Sequence, residues 1–212
     1  RTGKTPEGLE IFVNKRIPLE AGLGGGSADA AGVLYGMNQL FQAGLSLPEL
    51  CELGLEIGAD VPFCLTGGTA LVEGIGERIT PLRPLPDCFF VIAKPVASSN
   101  TSEAFRAFDK AGSRFHPDTP GMMDSLSFES LSAVSKKMYN VFEEALSLPG
   151  VSGLKQKMLV SGALAALLSG SGSAVFGIFE EENTARACRD EIREMGLESF
   201  FCRPVKTGDR RA

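Results

Sequence analysis

Apolar residues change their spacing repeatedly along this chain, and each change marks a predicted element. In LEIFVNKRI (9–17) β-branched and aromatic residues crowd together, which predicts a strand closed by Pro18. Ala30, Val33, Leu34, Met37, Leu40 and Phe41 then recur at helical spacing, so a helix beginning near Ser27 carries one buried face. AGLSLPEL (43–50) breaks that helix and starts another. Ser46 with Glu49 three residues on is a capping box, Pro48 suits a first turn, and the helix runs to about Ile57 before Gly58 stops it. In GADVPF (58–63), Pro62 biases Val61 toward an extended conformation, which leaves Asp60 between a helix end and an extended segment.

TGGTALVEGIGERITPL (66–82) has the pattern of a β-hairpin, with arms at 69–72 and 78–81 and Gly74 and Gly76 in the turn. PLRPLPD (81–87) packs three prolines into seven residues, so a domain boundary is placed there, dividing the chain into 1–85 and 86–212. Beyond it CFFVIAKP (88–95) predicts a buried strand, and Asn100 with Glu103 opens a helix. Residues 112–135 are polar and broken by Pro and Gly, which predicts loops and short helical turns. MYNVFEEAL (138–146) and LKQKMLVSG (154–162) read as helical, and AALLSGSGSAVFGIF (165–179) as two strands around a polar turn. A helix in ENTARACRDEIREMG (182–196) and a strand in SFFCRPV (199–205) complete an α+β alternation.

With 212 residues the chain is long enough to bury a core of one or two domains. A net charge of −5, with no Lys/Arg cluster interleaved with aromatics, disfavours a nucleic-acid partner. The longest apolar run, around 163–168, is too short to cross a bilayer, so no membrane partner is expected. Five cysteines without zinc or redox spacing predict reduced, mostly buried thiols and a cytoplasmic location. His116, the single histidine, stands in a Pro-flanked polar stretch and reads as a solvated loop residue. Neither a Ser-His-Asp triad nor a multi-histidine metal site can be assembled from these residues.

The chemistry concentrates in PLEAGLGGGSADAA (18–31), where a glycine-rich loop runs straight into the first helix. Gly22, Gly24, Gly25 and Gly26 allow main-chain N–H groups to approach an anion, and the helix N-terminus adds unpaired donors and a positive dipole end. A polyphosphate is the natural occupant. No Gly-Lys-Ser/Thr ends the loop, and Ser27 stands where a dinucleotide fingerprint opening at Gly22 would need its third glycine, so a P-loop and a Rossmann domain are both disfavoured. A tight strand-to-helix turn is the plainer alternative. Asp60 has two readings from its surroundings: a capping or turn carboxylate, or a general base for a substrate hydroxyl. Gly67 and Gly68 either let the chain pass close to a substrate or form an ordinary turn. The 169–173 turn is equally consistent with a bare hairpin and with a ligand held by its N–H groups and hydroxyls.

Three blocks resemble the GHMP kinases: VNKRIPLEAGLGGGSADAA (13–31), IGADVPFCLTGGTALVEGIGERITPL (57–82) and LLSGSGSAVFGIF (167–179), in that order. The likeness is thin between Arg106 and Lys137. The resemblance implies a two-domain α+β fold, the remnant of an S5-domain-2-like N-terminal domain followed by a ferredoxin-like C-terminal domain. It implies an ATP site at Lys15, Pro18, Gly22, Leu23, Gly24, Gly25, Gly26, Ser27 and Ala28, with Mg²⁺ accompanying the ATP and the Ser27 hydroxyl as its candidate ligand. Asp29 lies near the same helix terminus, and capping and metal roles stay open for both residues.

The resemblance also selects the catalytic reading of Asp60 and implies substrate contacts at Gly67, Gly68, Ser169, Gly170, Ser171 and Gly172. The reaction it implies is transfer of the ATP γ-phosphoryl to the 2-hydroxyl of a cytidine diphosphate-linked methylerythritol, a small-molecule partner. A sibling kinase acting on homoserine, mevalonate or a sugar and a non-catalytic nucleotide-binding protein are the alternatives. Family members carry an upstream stretch with a catalytic lysine and the residues that hold the cytidine, and Arg1 is not an initiator methionine, so the chain is expected to be a fragment or one chain of something larger. Asn140 and Glu143 resemble an NDLE-like signature of the family, but Val141 and Phe142 depart from it and no role is carried over.

Overall fold

The computed structural model describes residues 8–112 and 116–205. The described residues divide into two compact units: 8–17, 24–82 and 205 form the first, and 18–23, 83–112 and 116–204 form the second.

The first unit holds three helices and a hairpin. Helix α1 (Gly25–Leu40) starts two residues before the expected Ser27. Its buried contacts come from Ala30, Ala31 and Leu34, which pack with Leu50, Val61 and Leu65. Leu40, expected on that face, is exposed. Helix α2 (Leu47–Ile57) begins at the Ser46–Glu49 capping box, with the Ser46 N–H donating to the Glu49 carboxylate at 2.8 Å. Gly58 ends α2 in extended backbone (φ −177°), so its role there does not depend on a left-handed conformation.

Two expectations fail in this unit. Val61 is not extended: it opens helix α3 (Val61–Thr66), whose first turn also contains Pro62. Proline lacks only an N–H that a first turn would leave unpaired, and its fixed φ suits a helix start, which outweighs the bias it places on its predecessor. Residues 9–17 form no strand, and Phe12 is 89% exposed. A strand exists only as half of a pair, and none of the described residues pairs with this segment. The hairpin forms as expected, with β1 (Ala70–Glu73) antiparallel to β2 (Arg78–Pro81) and Ala70 opposite Pro81.

The second unit is built on a four-stranded antiparallel sheet. Its strands are β3 (Phe89–Lys94), β4 (Ala165–Leu168), β5 (Val175–Phe179) and β6 (Glu198–Cys202), in the order β4-β5-β3-β6. Helix α8 (Val151–Val160) precedes β4 and α9 (Glu182–Glu194) precedes β6, which gives the β-α-β-β-α-β order of a ferredoxin-like sandwich. Val91 and Ala93 alternate inward from β3 and meet Met158 of α8 and Cys188 and Ile192 of α9. Full burial of side chains such as Met158 and Ile192 is worth roughly 1.5–3 kcal/mol each.

Between β3 and α8 the chain inserts α4 (Thr101–Ala111), α5 (Thr119–Ser127), α6 (Leu131–Lys137) and the single turn α7 (Phe142–Ala145). The stretch expected to be loops and short turns is therefore more helical than its composition suggests. Asp118 and Ser130 accept N–H bonds at the starts of α5 and α6, and Leu126, Leu131 and Val134 are buried. MYNVFEEAL, expected to be helical throughout, forms only the α7 turn. No helix among the described residues is long and apolar enough to cross a membrane.

All five cysteines are free thiols. Burial, with the Asp87 charge second, pushes the Cys88 thiol from its ordinary 9.0 up to about 11. The unfolded chain would ionise Cys88 first, so this thiol favours the folded state below pH 9, and the contribution is lost as pH rises toward 11. Iodoacetamide at pH 8 is therefore expected to leave Cys88 unmodified in the native protein and to label it after denaturation. Peptide mass spectrometry reads the outcome, and rapid native labelling would contradict the burial.

Candidate active site

In the first unit the glycine-rich segment ends in the N-terminus of α1. Gly24 is its N-cap residue and no side chain caps the first turn; Ala28 N–H returns to the Gly24 carbonyl at 2.9 Å. Gly25, Gly26, Ser27 and Ala28 thus form the opening turn of the helix, where main-chain donors and the positive dipole end coincide. Lys15 forms an ion pair with Asp29 in the next residues of the helix, each side chain about one-third exposed. This accounts for Asp29 by charge pairing, without a capping bond.

Helix α3 packs against α1 through Val61 and Leu65. Asp60 stands immediately before it, exposed, and its carboxylate makes no capping bond to the helix. Asp60 therefore does not act as a side-chain cap of α3. Cys64, one turn on, has its thiol raised by burial and then by the Asp60 charge. Gly67 ends α3 at φ 68°, its N–H reaching the Phe63 carbonyl at 2.7 Å, and a side chain there would meet open space. Helix termination explains Gly67, while Gly68 follows it at φ 75°.

The β1–β2 turn lies against the residue preceding Asp60. A Cβ on Gly76, at φ 117°, would stand 2.0 Å from the Ala59 carbonyl oxygen. Only glycine satisfies both the angle and the contact. Gly76→Ala is expected to destabilise the protein by roughly 2–3 kcal/mol, because backbone rather than a mobile side chain must yield. Thermal unfolding measures this, and an unchanged midpoint would show that the turn does not rest on Ala59.

In the second unit the earlier part of the glycine-rich segment, 18–23, meets the turn between β4 and β5. The Ala174 N–H donates to the Ala21 carbonyl at 3.0 Å and the Ser169 hydroxyl to the Gly22 carbonyl at 2.9 Å. Gly22 is at φ 69°, and a Cβ there would lie 2.0 Å from the Ser169 carbonyl oxygen. Pro18 and Leu23 flank these contacts as half-buried residues. Ser171 and Ser173 are buried within the turn. The Ser99 hydroxyl donates to the Ser171 carbonyl at 2.6 Å, Thr101 Oγ1 lies 3.1 Å from Ser171 Oγ, and the Ser173 hydroxyl donates to the Ala97 carbonyl at 2.5 Å.

Thus Gly22, Ser169, Gly170, Ser171 and Gly172 share one loop cluster, while Lys15, Gly24 to Ala28, Asp60, Gly67 and Gly68 belong to the first unit. Sequence reasoning assigned no role to Asn140 and Glu143 and did not single out Ser99 or Thr101. Asn140 Nδ2 donates to the carbonyls of Leu168 and Gly170, each at 2.8 Å, and Glu143 accepts the Leu168 N–H at 2.6 Å. The spacing of Asn140 and Glu143 in MYNVFEEAL was the one signal available for them; for Ser99 and Thr101 there was none. Among the described residues no group of three His, Cys, Asp or Glu side chains is placed to hold a metal.

A glycine loop leading into an uncapped helix, joined to a ferredoxin-like sandwich, defines the class. The chain belongs to the GHMP kinase family: the model for the GHMP kinases N terminal domain matches residues 1–68, and that for GHMP kinases C terminal matches residues 122–197. It is 42% identical over 195 residues to a 4-diphosphocytidyl-2-C-methyl-D-erythritol kinase of Lachnospira eligens, an alignment covering 91% of this chain and 68% of that protein. It is 44% identical over 210 residues to the protein of the same name from Carboxydothermus hydrogenoformans, covering 98% of this chain and 72% of the relative. A crystal structure of 4-(cytidine 5'-diphospho)-2C-methyl-D-erythritol kinase matches with TM-score 0.74 at 34% identity, over 89% of this chain and 68% of that one. A homoserine kinase from Cytophaga hutchinsonii also reaches TM-score 0.74, at 23% identity over 91% of this chain and 68% of its own, which is a likeness of fold.

Proposed function

We propose that this chain belongs to an ATP-dependent kinase that phosphorylates the 2-hydroxyl of 4-diphosphocytidyl-2-C-methyl-D-erythritol, a step of non-mevalonate isoprenoid precursor synthesis. The observation that carries the phosphate reading is the N-terminus of α1, which follows a run of glycines and has no side-chain cap. The acceptor reading rests on identity rather than fold, because the overall likeness to a homoserine kinase is as high as that to the methylerythritol kinase.

Main-chain donors from Gly22 to Ser27 hold the triphosphate in this reading, with Pro18, Leu23 and Ala28 shaping the loop and Lys15 beside it. Asp60 accepts the proton of the acceptor hydroxyl as its oxygen bonds to the γ-phosphorus, and ADP departs with the electron pair of the broken bridging bond. Gly67 and Gly68 border the acceptor in this reading. The Ser27 hydroxyl, in the first helical turn, would be the residue to hold a Mg²⁺ that accompanies the nucleotide. When bound it neutralises phosphate charge; positioning by the loop and the carboxylate supplies the rest.

A substrate panel tests the reading. The whole natural protein is expected to convert 4-diphosphocytidyl-2-C-methyl-D-erythritol and ATP to a phosphomonoester visible by phosphorus NMR. Homoserine, mevalonate and galactose are expected to give none. Turnover of one of those three instead would move the protein to another branch of the family.

A further inference from the structure

The turn between β4 and β5 is held by a segment outside both glycine-rich stretches. Asn140, just before α7, donates from Nδ2 to the carbonyls of Leu168 and Gly170, while its Oδ1 accepts the Phe142 N–H at 3.0 Å. The Phe142 contact fixes which way round the amide sits, so its donor end must face the turn. Glu143 accepts the Leu168 N–H through Oε1 and pairs with Lys155 through Oε2. Both backbone groups of Leu168, a residue 2% exposed, are therefore held by side chains from one short segment. A carbonyl so placed has little access to water if its donor is removed.

We infer that Asn140 is a positioning residue for nucleotide binding. It sets the path of residues 168–170. The Ser169 hydroxyl then holds the Gly22 carbonyl, and Ala174 holds Ala21, so the glycine loop enters its phosphate-facing stretch in a defined conformation. The chain of contacts runs from one side-chain amide, through two backbone segments, to the loop. This inference rests on the reading of residues 22–27 as the ATP cradle.

Asn140→Asp is the sharpest probe. It preserves size and the acceptor for the Phe142 N–H, but turns a carboxylate oxygen toward two carbonyl oxygens. In the whole natural protein, the dissociation constant for a non-hydrolysable ATP analogue with Mg²⁺ is expected to rise about 10-fold by titration calorimetry. The KM for ATP should rise with it, while the KM for the acceptor changes little. A merely structural role would lower the folded fraction and leave the affinity of the folded molecules unchanged, which would overturn the proposal. If Asn140→Asp does not fold, Asn140→Ala removes both donors without adding charge, and the same two outcomes decide.

A double-mutant cycle checks the route. Ser169→Ala should also weaken analogue binding, and its combination with the Asn140 variant should be less than multiplicative. Fully multiplicative losses would show that Asn140 does not act through Ser169. Should the wild-type protein fail to bind the analogue at all, the kinase reading itself falls, and that result is distinct from equal affinities in wild type and variant.

Discussion

Asp60→Asn is expected to lower turnover by about 10²–10⁴-fold, the range associated with loss of a positioned proton acceptor, while ATP affinity stays within a few-fold. The amide keeps the shape of the carboxylate and cannot take the hydroxyl proton. Folding should be little affected, since Asp60 is exposed and makes no capping bond to α3. Steady-state kinetics with both substrates, alongside calorimetric titration of an ATP analogue, separates the two effects. Near-normal turnover would remove Asp60 as the base. Unchanged turnover with a fallen melting temperature would return it to a structural role.

Gly22→Ala should damage both nucleotide binding and stability. At φ 69° an alanine is already strained by roughly 1–2 kcal/mol. Its methyl would also stand 2.0 Å from the Ser169 carbonyl oxygen, 2.8 Å from the Gly172 nitrogen and 2.9 Å from the Gly172 oxygen. All three atoms are backbone, so no side chain can swing aside and the two loops must part. Separation breaks the Ser169–Gly22 bond and loosens the segment entering α1. We expect at least a 10-fold loss of affinity for the ATP analogue, with a lowered unfolding midpoint, from contact and strain costs of a few kcal/mol. Wild-type values for both would mean the loops do not meet in solution.

These two residues differ in how far they could be read in advance. Gly22 lies in a run of glycines whose composition alone points to an anion, and the three blocks 13–31, 57–82 and 167–179 carried the family resemblance. What the run could not reveal is that Gly22 is occupied by contact with Ser169, 147 residues further on. For Asp60 the amino acids alone could not show that α3 begins beside it without using its carboxylate as a cap. The β-rich segment 9–17 misled for a related reason: its residue types suit a strand, but strand formation needs a partner, and residue type says nothing about whether one is present.

Elements set by neighbours a few residues apart were legible in the amino acids alone: the Ser46–Glu49 box, the β1–β2 hairpin, the β4–β5 hairpin, the α9 and β6 succession, and the glycine loop ahead of α1. Capping, turn chemistry and periodicity act over one or two turns of chain, so they are written locally. Tertiary structure alone decided that Asn140, Glu143, Ser99 and Thr101 converge on residues 168–171, and that Gly76 rests on Ala59. Three of those contacts join a polar side chain to a backbone carbonyl or N–H group, which every residue possesses, across long separations. The local pattern carries no mark of them, because a backbone group's partner is chosen by how the units fold.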